Sequence, residues 1–128
     1  MGLEFTYEMK GRYLSIVASG VFSIDDARRG FHRALEVIEG YQATRVLVDC
    51  RQITGSPSTM DYYDYGELVA EALTGPARKE TSRNLKLAHV AQPPLLDERR
   101  LSETVAQNRG VMMKSVDNIE EALAWLES

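Results

Sequence analysis

Arg45-Val46-Leu47-Val48-Asp49-Cys50-Arg51 carries an unbroken apolar triplet, Val46-Leu47-Val48, followed at once by an acid. So short a run, with polar residues on both sides, reads as a strand buried on both faces of a parallel sheet. A parallel strand needs a crossover from its neighbour, and the preceding segment supplies one. Ala27, Phe31, Ala34, Leu35 and Ile38 recur at helical spacing. Ser23 and Asp26 have the spacing of a capping box at the start of that helix, and Gly40 stands where a C-terminal cap belongs. Further back, Tyr13–Ser19 reads as a strand, and Leu3, Phe5 and Tyr7 alternate with Glu4, Thr6 and Glu8 as a half-buried one. Lys10-Gly11 leaves too little chain between these two for anything but an antiparallel pairing.

Beyond the triplet, Thr54–Thr59 (TGSPST) is a loop of turn formers, and a helix from Met60 to Thr74 is expected to stop at Gly75-Pro76. Leu85–Ala91 reads as a fourth strand closed by Pro93-Pro94. A third helix is expected over Asp97–Arg109 with Gly110 as its stop, then a short strand over Val111–Val116. Asp117 or Asn118 caps a last helix whose buried face is Ile119, Ala122, Leu123 and Leu126. The order is β-β-α-β-α-β-α-β-α. It implies an α/β fold: one mixed, mostly parallel sheet with an N-terminal antiparallel hairpin and four helices, in one domain over residues 1–128.

The 128 residues are 44% hydrophobic and 27% charged, an ordinary globular mix. The net charge of -4 lacks the basic footprint that phosphate neutralisation requires, so no nucleic-acid partner is expected. Cys50 is the single cysteine, which excludes an internal disulfide or a CxxC motif and suits a reducing compartment. The first ten residues do not read as a signal peptide, and no apolar run reaches the ~20 residues of a membrane span. The expectation is a cytoplasmic protein with no stable membrane insertion.

Three stretches resemble the STAS domain in its SpoIIAA-like branch, which also takes in STAS/SEC14-like bacterial proteins. They are Gly20-Val21-Phe22-Ser23-Ile24-Asp25-Asp26, the Arg45–Arg51 strand with its Ser/Thr-rich loop, and Asn118-Ile119-Glu120-Glu121-Ala122-Leu123-Ala124-Trp125-Leu126. The resemblance implies a noncatalytic regulatory or protein-interaction module. It also implies that a phosphorylation or anion-binding site belongs at the start of the second helix, where this chain offers Ser56, Ser58 and Thr59. The SEC14-like relatives imply an alternative, a carrier of a small apolar or lipid ligand.

The residues themselves keep several readings open. Ligands of open α/β sheets sit beyond the carboxyl ends of the strands, which makes Asp49, Arg51, His89 and Ser115 candidates for a pocket rim. A hydrolase would take Ser56 or Ser58 as nucleophile, His89 as base and Asp49 as its orienter, but no G-x-S-x-G elbow is present. Ser56 before Pro57 reads as a helix cap, with Ser58 and Asp61 as the alternative cap. His32 and His89 show no metal-ligand spacing, and neither a metal nor a cofactor is expected.

The second helix is apolar, aromatic or small around most of its circumference. A sheet-facing side needs only part of that surface. Tyr62, Tyr63, Tyr65 and Val69 are therefore candidates for an interface, with a second copy in a homodimer or with another protein. The alternative is that the third helix or the Pro76–Arg83 loop covers the surplus. Arg78, Lys79, Arg83 and Lys86 form a basic cluster that reads as a solvated face or an anion site.

Overall fold

The computed structural model describes residues 2–74, 84–97 and 99–128. The elements are β1 (Glu4–Lys10), β2 (Tyr13–Val21), α1 (Ile24–Tyr41), β3 (Arg45–Thr54) and α2 (Thr59–Thr74). They continue with β4 (Lys86–Val90), α3 (Leu101–Asn108), β5 (Met112–Val116) and α4 (Ile119–Glu127). The five strands form one sheet in the order β1-β2-β3-β4-β5. β1 runs antiparallel to β2, and every other pair is parallel. This is the mixed sheet that the alternation of elements implies. The expected stop at Gly75-Pro76 and the basic residues Arg78, Lys79 and Arg83 lie outside the described residues.

Alternation along the strands divides the core in two. Val46, Val48 and Cys50 of β3 pack with Leu14 and Ile16 of β2, Leu87 of β4 and Met113 of β5 under α1, α2 and α3. Leu47, Ala88, Val90 and Val116 face the other way and pack against Ala122 and Leu126 of α4. The Val46-Leu47-Val48 run is apolar throughout because it serves both layers. Four consecutive strands in linear order, linked by crossovers of one hand, put their helices on one face. That leaves α4 to cover the opposite face.

Capping differs from the spacing in three places. Ser23 caps α1, accepting from Asp26 N at 3.3 Å. The Asp26 carboxylate, however, accepts from Leu3 N at 3.2 Å and pairs with Arg29, so it ties down the start of β1 rather than closing a box. Gly40 is not the C-terminal cap: α1 runs on to Tyr41, and Gln42 takes the left-handed conformation at φ 54°. Ser56-Pro57 does not begin α2. Ser58 does, accepting from Asp61 N at 3.0 Å while its own N–H donates to Asp61 Oδ2 at 2.9 Å. That reciprocal pair is a capping box with aspartate as the second member. The helix starts at Thr59, within one residue of the expected Met60, with the alternative cap in use, and Gly55, at φ 105°, makes the turn out of β3.

The third helix is shorter than its sequence pattern suggests. It begins at Leu101, because Asp97 accepts from the N–H groups of Arg99 at 3.0 Å and Leu101 at 2.9 Å and holds the preceding turn. Asn118 caps α4, accepting from Glu121 N at 2.8 Å.

Candidate functional site

The surplus apolar surface of α2 is covered within the chain. A Cβ on Gly66 would lie 2.7 Å from the Ser102 backbone oxygen and 2.8 Å from Val105 Cβ, so glycine is what lets α3 press onto α2. Ser102 Oγ donates to Tyr62 O at 2.6 Å, and Arg109 pairs with Glu67 across the same seam. As a result Val69, Ala70 and Leu73 are all buried. Tyr65 faces inward, edge-on to Phe31 with centroids 6.2 Å apart. Tyr62 is half-buried and its hydroxyl donates to Pro94 O. Of the four candidate interface residues only Tyr63 is exposed. The placement of Tyr65 and Val69 in the core, and of Tyr62 against the β4–α3 connection, corrects the reading of α2 as an open apolar face.

Between α1, α2 and the sheet lies a cavity of about 130 Å³. Its inner wall is apolar, from Phe5, Ile16 and Phe31 to Leu87 and Met113. His89 belongs to this wall because Leu87, His89 and Ala91 share one parity on and beside β4. The His89 Nε2 is 2.7 Å from the Tyr65 hydroxyl, and the rings meet edge to face at 5.4 Å. Among the described residues, Nδ1 of His89 is the buried side-chain nitrogen or oxygen that has no partner. Burial pushes the imidazole pKa down to about 4, so the ring is neutral near pH 7. Burial also pushes the Tyr65 phenol up, and it raises the Cys50 thiol to about 12. Cys50 is thus a protonated, inert part of the wall.

The candidate rim residues do not gather in one place. His89 and Ser115 line the cavity. Asp49 and Arg51 lie within β3, not beyond it, and point to the face that α4 shares. There Arg51 donates to both Asp49 oxygens, at 2.9 and 2.8 Å. These bonds hold the Asp49 carboxyl below the usual carboxylate range. The sheet therefore separates Asp49 from His89. The Ser58 hydroxyl is engaged in capping α2, and among the described residues Ser58, His89 and Asp49 do not come together. The cavity mouth carries Asp61, Asp97, Arg100 and Glu103. Arg100 Nε donates to Ser115 O at 3.1 Å and the Glu103 carboxylate accepts from Ser115 N, which staples α3 to the end of β5.

Lys86, the described member of the basic cluster, is committed as well. Its Nζ donates to the carbonyls of Trp125 at 3.1 Å and Ser128 at 2.8 Å and lies 5.1 Å from the Trp125 ring centroid. Together with Arg45 Nε on Leu126 O at 2.9 Å, it satisfies the C-terminal carbonyls of α4. Among the described residues, no three His, Cys, Asp or Glu side chains gather as metal ligands. No helix among them is long and apolar enough to cross a membrane.

No family model and no curated protein matches the chain. Solved structures do match, and two of them each cover 98% of the chain. An anti-sigma factor antagonist from Mycobacterium paratuberculosis superposes with a TM-score of 0.61 at 10% identity over 95% of its own length. An uncharacterized protein with a SpoIIAA-like fold from Shewanella loihica gives 0.55 at 20% identity over 93%. The chain has the STAS/SpoIIAA-like fold. In this SpoIIAA-like frame Ser56, Ser58 and Thr59 lie exposed between the end of β3 and the first turn of α2. Val21 closes β2 beside them, paired with Thr54 and within 3.9 Å of where a Cβ on Gly55 would stand.

Sequence reasoning missed two features of the site. One is the Tyr65–His89 pair, which the parity of β4 and the inward row of α2 jointly encode. The other is that Val21 at the end of β2 and Met60 in the first turn of α2 are 56% and 62% exposed, alongside the expected Tyr63 at 38%.

Proposed function

We propose that this chain is a noncatalytic regulatory module that docks a protein partner with the end of the sheet where β2 and β3 hand over to α1 and α2. One observation carries the reading: Val21, Met60 and Tyr63 are apolar and exposed beside the exposed Ser56–Thr59 loop. Met60 and Tyr63 are one turn apart on α2, so they present a single face. Large apolar side chains left in water next to polar ones mark interaction surfaces more often than catalytic ones. The uncommitted Ser56 and Thr59 suit a switch. A phosphate there would add negative charge at a helix N-terminus, where it is favoured, and would alter what docks. Ser58 is the less favoured acceptor, because modifying it disturbs the α2 cap.

The test is site-specific photo-crosslinking in cytoplasm of the native host. A photoreactive residue at position 60 or 63 should yield one discrete adduct, and the same residue at His32 or Glu36 on α1 should not. An adduct of twice the chain mass would identify the partner as a second copy, making the module a homodimer. Equal or absent labelling at all four positions would refute the docking surface. Phosphopeptide mapping completes the test: phosphate on residues other than Ser56, Ser58 and Thr59 would remove the loop from the mechanism.

A further inference from the structure

The sheet has β1 and β5 at its edges, and the two are finished differently. Along β5, α3 and its cap residue take the outward backbone groups. Gln107 donates to Met113 O at 2.8 Å, Arg100 Nε donates to Ser115 O at 3.1 Å, and Glu103 accepts from Ser115 N. β1 is not closed in this way. Gly11-Arg12 is a two-residue turn, so Lys10 and Tyr13 form a hydrogen-bonded pair. Alternation then directs the backbone groups of Glu4, Thr6, Glu8 and Lys10 toward β2, and those of Phe5, Tyr7 and Met9 outward. Among the described residues, the side-chain bond to this edge is that of Asp26 to Leu3 N, before the strand begins.

β1 carries neither proline nor a bulge, and its seven residues pair with β2 without a shift. Such a row of open groups is a template for another strand. Apolar surface lies along it. Tyr7 lines a groove with Val37, Gly40 and Tyr41 of α1, flanked by Arg33 and Glu36, and Tyr41 is 55% exposed.

The charges on β1 fit a second copy of β1 in one register. A twofold pairing of the strand with itself is antiparallel and can be centred on Thr6, Tyr7 or Glu8. Centred on Thr6, it sets Glu4 against Glu8 at both ends. Centred on Glu8, it sets Glu8 against its own copy. Centred on Tyr7, it sets Glu4 against Lys10 at both ends, Thr6 against Glu8 and Phe5 against Met9. Like charges directly opposite destabilise a ladder and opposite charges support it. The Tyr7 register also brings outward residues against outward residues, with two backbone bonds at each facing pair. The exposed ion pairs set the register more than the strength. Strength comes from the ladder and from covering the groove.

We propose that two copies of this chain pair through β1, antiparallel about a twofold axis at Tyr7, to make one continuous sheet with both α1 helices on the same face. This edge is separate from Met60 and Tyr63 at the end of the sheet, and either surface can fail without the other.

Sedimentation equilibrium of the full chain should give twice the chain mass of 14.4 kDa. Lys10→Glu and Glu4→Lys each place like charges opposite at both ends, and each should weaken the dimer about tenfold. Mixed in equal amounts, the two variants should recover the parental affinity, because each supplies the charge that the other lacks. Both positions are exposed, so circular dichroism should show the parental fold. Hydrogen exchange on the parent places the interface without any variant. The amides of Phe5, Tyr7 and Met9 should be protected at high concentration and open on dilution, while those of Thr6 and Glu8 stay protected throughout. A parent chain that remains monomeric up to about 1 mM would overturn the proposal. So would a dimer whose Phe5, Tyr7 and Met9 amides exchange freely, or folded variants that associate no better mixed than apart.

Discussion

Acidification should weaken this fold through His89 well before the carboxylates respond. The group is buried in an apolar wall, its pKa is about 4 when folded, and it returns to 6.5 when the chain unfolds. The unfolded state therefore binds the proton more readily. Above pH 6.5 both states are neutral at this site and it has no pH dependence. As pH falls below 6.5 the unfolded chain takes up a proton that the folded chain refuses, and stability drops until the folded pKa is reached. A separation of about 2.5 pH units, at ~1.4 kcal/mol each, amounts to about 3 kcal/mol, of which about 2 kcal/mol is lost between pH 7 and pH 5. That is a large share of the 5–15 kcal/mol typical of a domain. Urea denaturation followed by circular dichroism at pH 7, 6 and 5 measures it. His89→Gln supplies the control, because glutamine can still pair with the Tyr65 hydroxyl but does not titrate. The variant should lose about 2 kcal/mol less than the parent over that range. Asp49 does not confuse the measurement. Arg51 lowers its pKa from 3.8, so its contribution is complete above that value and is lost only at more acid pH. Equal losses in parent and variant would show that His89 is not buried as a neutral ring.

Three further outcomes follow from the packing. Leu126 lies in the α4 layer at 2% exposure, so Leu126→Ala should cost roughly 2–5 kcal/mol in urea denaturation, and Leu123→Ala, at a half-buried position, should cost less. Gly66→Ala should destabilise by about 1–3 kcal/mol despite the better helix propensity of alanine, because the new methyl meets Ser102 and Val105; a thermal melt showing stabilisation would mean that α3 does not press on α2. Ser58→Ala should cost about 1 kcal/mol by loss of the α2 cap while Ser56→Ala stays near zero, and the reverse order in the same melts would return the cap to Ser56.

The sheet was legible because its signals are local and of one period. Val46-Leu47-Val48 could be read as doubly buried, and Leu3, Phe5 and Tyr7 as one face of a hairpin, without knowing what they touch. Helix ends were less legible, because caps compete over one turn. Ser56-Pro57 and Ser58-Asp61 both satisfy a capping rule, and the choice falls to the chain's exit from β3 through Gly55. The face of α2 was least legible. Its apolar residues have two destinations, the sheet and α3, and only the missing side chain of Gly66 indicates the second.

The same reasoning separates the two sides of β3. Val48 and Cys50 line the cavity while Asp49 and Arg51, alternating with them, pair on the opposite face. Read as a cluster of neighbours in sequence, Asp49, Cys50 and Arg51 suggest one rim. Read with a period of two, they assign the charge to the α4 side and leave the cavity with a neutral histidine, a phenol and hydrocarbon. A hydrolytic group needs its acid and base on one side of the sheet. The strand's alternation instead keeps the Asp49–Arg51 pair on the face away from the cavity.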